Sequence, residues 1–372
     1  MRGEKSKTTD DLLIRGAKAG LDLQREDGSF PPGHAGTYDY SLKPVRTTSG
    51  WLLTFSGAYE ITDNEAFANA AHRAIDYLLA EDARPHGHTF HVRETQDKDK
   101  CDGLVGQASP IKALSYSGKV FNRNDAIEVA EEVFTLHPFN RQFGLWKRVE
   151  INGTHLSFDR TLNHQLIFAA GAAHLAKYSD TVAQQCQAFL DQLATNIDLH
   201  DDGLPRHYIR PPVKDVLLSS IRNPEARVLL WNELAVHYYS KSEQRKVKEK
   251  NYYLVITTAL ADLKHQWPNH QIWSSETIHR LLEYMKTTEY KQIFEGQNDI
   301  GTGYPWLDHA ITKYAFNNPG KKELEEWIGR TIKSEYDPST GLLTRTASDP
   351  DFRATSIGKF MKLPSLSCEP AE

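Results

Sequence analysis

Two short runs bring carboxylates together with amides, an imidazole and glycines, residue types suited to acid–base catalysis. The first is Cys101-Asp102-Gly103-Leu104-Val105-Gly106-Gln107. The second is Ser157-Phe158-Asp159-Arg160-Thr161-Leu162-Asn163-His164-Gln165. Each opens an apolar helical pattern. An acid there either caps free N–H groups or, in a cleft that shifts its pKa, trades a proton with a ligand. Asp159 and Asn163 are four positions apart and would share a helix face. An acid, an amide and an imidazole ahead of the apolar stretch to Ala173 are costly to bury unpaired. Both readings, a capped polar first turn and a site, stand for each acid. Gly103 and Gly106 each weaken a helix by ~1 kcal/mol against alanine, which implies close approach of a substrate or a neighbouring helix.

Aromatic and basic residues surround these runs. Trp51, Trp146, His207, Arg210, Trp231, Tyr304 and Trp306 fall near loop or helix ends. Aromatic faces suit sugar rings, and Arg or His suits carboxylates. Trp51 also shares a stripe with Phe55, Ala58 and Tyr59, which is a core pattern. The run His86-Gly87-His88-Thr89-Phe90-His91 lacks the carboxylate or cysteine that would complete a metal set, so no metal and no cofactor is expected. The nucleophile-elbow, phosphate-loop and dinucleotide fingerprints are missing, which removes the usual support for serine hydrolases, nucleotide hydrolases and dehydrogenases.

The elements that must position these groups are helical. Ala66, Phe67, Ala70, Ala71, Ala74, Ile75, Leu78 and Leu79 form one stripe at helical spacing behind an Asp63 or Asn64 cap. Val182, Cys186, Phe189, Leu190 and Leu193 form a second, and Leu162, Leu166, Ala169, Ala170 and Ala173 a third. Further helical patterns cover 9–23, 46–61, 105–120, 123–135, 224–240, 252–265, 274–288, 305–316 and 320–334. Short strands are expected at His88–Arg93 and Leu145–Ile151. They do not alternate with helices, so a parallel sheet is excluded. A turn residue and glycine followed by an apolar residue recur at Gly28, Gly144, Gly203 and Gly341, each between helical segments. Repeated helical hairpins with tight rim turns predict an all-α fold, an (α/α)6 toroid with a few short β-hairpins in the rim loops. The basic and acidic run at 241–250 reads as a solvated helix end. The whole of 1–372 reads as one toroid domain, with loose termini at 1–8 and 348–372.

Of the 372 residues, 39% are hydrophobic and 25% charged, and the net charge is −5. That profile is globular and gives no electrostatic case for nucleic acid. No apolar run approaches the ~20 residues of a membrane span. The polar start MRGEKSKTTDD is unlike a signal peptide. Cys101, Cys186 and Cys368 are widely spaced, as for free thiols in a reducing compartment. A cytoplasmic protein is expected, and Asn152-Gly153-Thr154 reads as a chance match to the glycosylation acceptor pattern.

The stretch from Gln24 to His34 (QREDGSFPPGH), the run from Arg84 to His91 (RPHGHTFH), and the CDGLVGQA and FDRTLNHQ segments together resemble the Agl-cluster Q proteins of archaeal N-glycosylation and bacterial surface-polysaccharide gene clusters. The resemblance covers most of 10–215. It implies a six-hairpin fold and a role in processing or assembling a surface glycan. His88 and Gln107 lie in these shared runs and join Trp51, Trp146, Asn163, His207, Arg210 and Trp306 as candidate substrate contacts. More distantly the chain resembles the unsaturated glucuronyl hydrolases, which use two aspartates from successive hairpins. That resemblance implies Asp159 as general acid/base and Asp102 as its partner, although the sequence around both acids departs from that family. Three functions follow for an oligosaccharide or polysaccharide ligand. One is acid/base glycoside hydrolysis through Asp102, Asp159 and His164. The second is a lyase or uronic-acid epimerase using His164 or His207 with Arg210. The third is a non-catalytic glycan-binding scaffold.

Overall fold

The computed structural model describes residues 8–35, 38–221, 223–224, 226–231, 243–294 and 304–368, with backbone alone at 35, 38–40 and 243–244. Its helices start where the sequence supplies caps. Thr8 and Asp11 form a reciprocal capping box at the head of α1 (Thr9–Leu23). Asn64 accepts from the Ala66 N–H at the head of α3 (Glu65–Leu79), while Ser179 does the same for Val182 in α7 (Asp180–Asn196). The predicted stripes are buried, except that Ala66 is exposed and Leu79 half-buried at the ends of α3.

Inner and outer helices alternate along the chain. α2 (Val45–Thr62), α4 (Gly103–Val120), α6 (Leu162–Ala172), α9 (Glu243–Gln266), α11 (Pro305–Asn317) and the 3-10 helix Thr355–Lys362 surround an axial cavity. α1, α3, α5 (Asn124–Leu136), α7, α10 (Glu276–Glu283) and α12 (Lys321–Glu335) stand outside them. α2 packs on α3, α4 and the 3-10 helix; α4 on α5 and α6; α6 on α9; and α9 on α11. This is the (α/α)6 toroid. Between α7 and α9, α8 (Val213–Ser220) interrupts the alternation. Residues 226–231 are helical, and the rest of the pattern expected at 224–240 lies outside the described residues. The inner helices come close where side chains are small. A Cβ on Gly171 of α6 would sit 2.6 Å from the Ala108 carbonyl of α4. The four recurrent turn glycines all take positive φ, between 60° and 91°.

The strands are rim hairpins. β5 (Leu145–Val149) pairs antiparallel with β4 (Phe139–Asn140) and β6 (His155–Phe158), and β7 (Ile197–Leu199) pairs with β8 (Pro205–Ile209). The strand expected at His88–Arg93 is largely not one. Phe90 gives its N–H to the Gln107 side chain at 2.8 Å and its carbonyl takes the Gln107 amide at 3.0 Å. Those backbone groups have a side chain as partner, and only Arg93–Glu94 pairs with Tyr38–Leu42.

Two further expectations change. The segment from 348 is anchored, not loose. Pro350–Ala354 is helical, Ile357, Phe360 and Leu366 are buried, and Thr9 N–H donates to the Leu366 carbonyl at 2.9 Å. Residues 1–7 and 369–372 lie outside the described residues. The charged run at 241–250 is not simply solvated, because Glu249 is 2% exposed and receives the His200 Nε2 and the His207 N–H.

Candidate active site

The inner helices α2, α4 and α6 start at the same end of the cavity, and the two acid-bearing runs meet there. Asp159 follows β6 and precedes α6, so it does not share a helix face with Asn163 as its spacing suggested. Its Oδ1 accepts the Thr161 N–H at 3.1 Å in a tight turn. Its Oδ2 accepts from His164 Nδ1 at 3.0 Å and from the Leu104 N–H at 3.4 Å. Gly103 makes this possible. Its φ is +59°, and a Cβ there would fall 2.9 Å from that same Oδ2. The close approach read from the paired glycines is therefore the Asp159 carboxylate at Gly103, and at Gly106 the Cys101 carbonyl, 2.3 Å from a would-be Cβ.

Asp102 stands at the cap position of α4 yet makes no capping bond, with φ 55° and ψ 39°. Its carboxylate goes to cations instead: Arg93 Nη1 at 2.5 Å and Arg46 Nη1 at 3.6 Å. Arg93 also grips Asp99, which Arg148 holds from the other side at 2.6 Å. Two buried glutamines fix the frame. Gln107 donates to the Cys101 carbonyl at 2.7 Å, just before Asp102. Gln165 donates to the Asp159 carbonyl at 2.8 Å and to the Trp146 carbonyl at 2.9 Å. The similar Asp-to-Gln spacing in the two runs is the signal for this repeated strut.

Electrostatics separates the titrating groups. Burial alone would raise the Asp159 pKa, but His164, the Thr161 N–H and Arg148 outweigh it and hold it down at about 2. Burial would lower His164, yet Asp159, with Asp102 and Asp99 behind it, raises it above the ordinary imidazole value. His207 goes the other way: burial, then Lys248 and Arg245, lower it to about 3. The cavity wall thus carries one imidazole inclined to hold a proton and one inclined to stay neutral.

Of the predicted residues, Asp102, Asn163, His164 and His207 line the cavity, of about 1590 Å³, and Asp159 stands directly behind His164. The others are elsewhere. Trp51 is 1% exposed, stacked on Phe30 and Phe55 under α1. Trp146 is buried against Phe134 and Phe168, with its Nε1 donating to Gln185. Gln107 is the strut just described. The His88 imidazole lies over Gly153. Arg210 pairs with Asp198, and Trp306 packs on Phe294 beneath Arg330. Arg46, Arg93, Asp99 and Arg148 went unremarked in the sequence, since nothing local marks residues that pair across loops. Among the described residues, no three His, Cys, Asp or Glu side chains converge as metal ligands, and no helix is long and apolar enough to cross a membrane.

This is the toroid of sugar epimerases and six-hairpin glycosidases. The fold is shared with cellobiose 2-epimerase from Bacillus thermoamylovorans (TM-score 0.62, 12% identity, 94% of this chain and 97% of that one). It is shared also with a D-mannose isomerase (TM-score 0.63, 12% identity, 98% and 100%) and with the α-1,6-mannanase GH76A of Salegentibacter (TM-score 0.56, 10% identity, 95% and 98%). No protein-family model matches the chain. The chain belongs to the family of archaeal glycosylation protein Q, being 38% identical to the Haloferax volcanii member over 95% of its own length and 96% of the relative's.

Proposed function

We propose that this protein is a glycan-processing enzyme in which the His164–Asp159 pair moves a proton to or from a sugar in the axial cavity. The observation that carries this is the His164 ring itself: Nδ1 is held by a buried carboxylate at 3.0 Å while the residue lines the cavity. A carboxylate so placed orients the imidazole and stabilises its protonated form. The reading favoured by two imidazoles, His164 and His207, lining one cavity is epimerisation or isomerisation at the carbon beside a sugar carbonyl, which needs one base and one acid. In the open-chain sugar, neutral His207 removes the C2 proton and the C2–H electron pair becomes the enediolate. The His164 imidazolium returns a proton to the other face of C2, giving the epimer, or to C1, giving the ketose. Positive charge from His164 and Arg46, both on the cavity wall, would stabilise a developing enediolate oxygen. Two of the solved structures that share the fold are sugar 2-epimerase and mannose isomerase, which agrees with this reading.

Glycoside hydrolysis is the second reading, favoured by the Asp102 carboxylate on the cavity wall and by the mannanase that shares the fold. There the His164 imidazolium protonates the leaving oxygen as the glycosidic C–O bond breaks, while Asp102 takes a proton from the water that bonds to the anomeric carbon. Incubating the protein with neutral and uronic oligosaccharides in D₂O tests both. Deuterium entering C2 without new reducing ends means proton transfer at carbon, and new reducing ends mean hydrolysis. Neither product from any sugar that binds refutes the catalytic reading.

A further inference from the structure

The mouth of the cavity spreads its cations over several carboxylates, Arg93 and Arg46 on Asp102, Arg93 and Arg148 on Asp99, and Lys359 on Asp308. The opposite end does not. The described lining residues there include four lysines, Lys112, Lys177, Lys264 and Lys362, but a single carboxylate, Asp262, and Lys264 lies over the Phe316 ring. Lys112 Nζ donates to Asp262 Oδ2 at 2.7 Å and Lys362 Nζ lies 2.9 Å from both of its oxygens. One carboxylate of α9 thus serves two ammonium groups from different walls, α4 and the 3-10 helix, which stand on either side of α2. Each ammonium has three donors and, among the described residues, Asp262 as its hydrogen-bond acceptor.

His174 stands beside these cations. It lines the same end of the cavity with its ring edge-on to Tyr116 and Tyr178 and its Nε2 closed off from solvent, and burial with Lys177 and Lys112 nearby lowers its pKa to about 4. Four ammonium groups against one carboxylate leave this end short of an acceptor-rich anion. Lys112 lies ten residues into α4 from Asp102, about 15 Å at 1.5 Å per residue. The cavity exceeds the ~300–1,000 Å³ of ordinary small-molecule pockets, so one ligand can reach both ends.

We propose that Lys112, Lys177 and Lys362 bind an oxyanion, a phosphate or carboxylate, carried on the part of the ligand remote from His164. The substrate is then an anionic sugar conjugate and not a neutral saccharide. This deepens the function proposed above by naming the substrate class, but the anion site itself needs no turnover.

The test is calorimetry on the full chain with inorganic phosphate, glucuronate and glucose as probes. Phosphate or glucuronate should bind while glucose binds at least tenfold more weakly. The preferred anion identifies the source. Lys362→Met should weaken anion binding at least tenfold, and Lys112→Met likewise. In each single variant Asp262 keeps one lysine partner, and an unchanged melting temperature certifies the fold. Lys322→Met, on the outer face of α12, and Asp159→Asn should leave anion affinity unaltered. Equal anion affinity in wild type and both cavity variants, an equal loss in Lys322→Met, or no anion binding at all would overturn the site. Anion binding without turnover of any sugar would instead count against the catalytic reading alone.

Discussion

Replacing Gly103 with alanine tests the geometry beneath His164, because a control with the same backbone cost exists in the same chain. Gly103 has φ +59° and Gly87 has φ +69°. Either alanine must occupy the left-handed region, at roughly 1–2 kcal/mol. Around Gly87 nothing lies within 4 Å of a Cβ, so that cost is the whole effect. At Gly103 the methyl lands 2.9 Å from Asp159 Oδ2 and 3.7 Å from His164 Nδ1. The carboxylate must move, and its bond to the ring with it. An unfolding entropy of ~2.1 cal/mol/K per residue over 372 residues gives ~0.8 kcal/mol/K. Gly87→Ala should therefore lower Tm by about 1–3 °C, and Gly103→Ala by at least as much. Only Gly103→Ala should also shift the His164 titration midpoint downward, followed by NMR, and cut turnover. An unchanged His164 midpoint in Gly103→Ala would refute the claim that this glycine exists to admit the carboxylate.

Asp159→Asn should lower the His164 midpoint below its wild-type value, because burial then acts with less opposition, and reduce kcat by roughly 10²–10⁴-fold; an unaltered rate removes Asp159 from the mechanism. His137 is fully buried, its Nδ1 donates to the Lys147 carbonyl, and burial holds its pKa at about 4. The unfolded chain binds that proton near pH 6.5 and the folded chain does not, so this group's stability is full above 6.5 and is lost as pH falls toward 4, by about 1.4 kcal/mol per pH unit. His137→Asn should flatten the Tm-versus-pH curve over that window, and an identical slope would contradict the assignment. All three cysteines are buried and free, with Cys368 pushed up to about 12 by burial and Cys101 and Cys186 higher still. A thiol reagent should label none in the native protein and three after denaturation; rapid native labelling would show the packing to be looser than described.

The helices were legible because their apolar residues repeat at a period the backbone itself imposes. Phe67 to Leu78 and Val182 to Leu193 needed no partner to be recognised. The glycine turns were legible for a similar local reason. The segment near Thr355 was not, since it contributes a 3-10 helix with few buried residues, Ile357 and Phe360, and no α-period. Within the site, the acid-bearing runs stood out because polar groups ahead of apolar helices need a purpose. What each acid does was hidden. Asp102 is answered by Arg46 from the first turn of α2 and by Arg93 from a short strand, and Asp159 turns back on His164 from outside the helix. The aromatic signal misled where a ring served packing, as Trp51 and Trp146 do. The far-end lysines come from α4, the turn after α6, α9 and the C-terminal segment, and no spacing in the chain connects them.

The bridge between Thr8 and Ser367 joins the two ends of the ring. The sixth wall of the cavity, Thr355–Lys362, is delivered only by the segment that this bridge fastens. A chain cut before that segment would keep most of its helical hairpins and its Asp159–His164 pair, yet form an open crescent with no enclosed channel. Loss of Lys362 would also leave Lys112 alone on Asp262 at the far end. Catalytic geometry and ligand enclosure are thus separable here: one is built locally at the starts of α4 and α6, the other by a closure spanning nearly the entire chain, the slowest kind of contact to make.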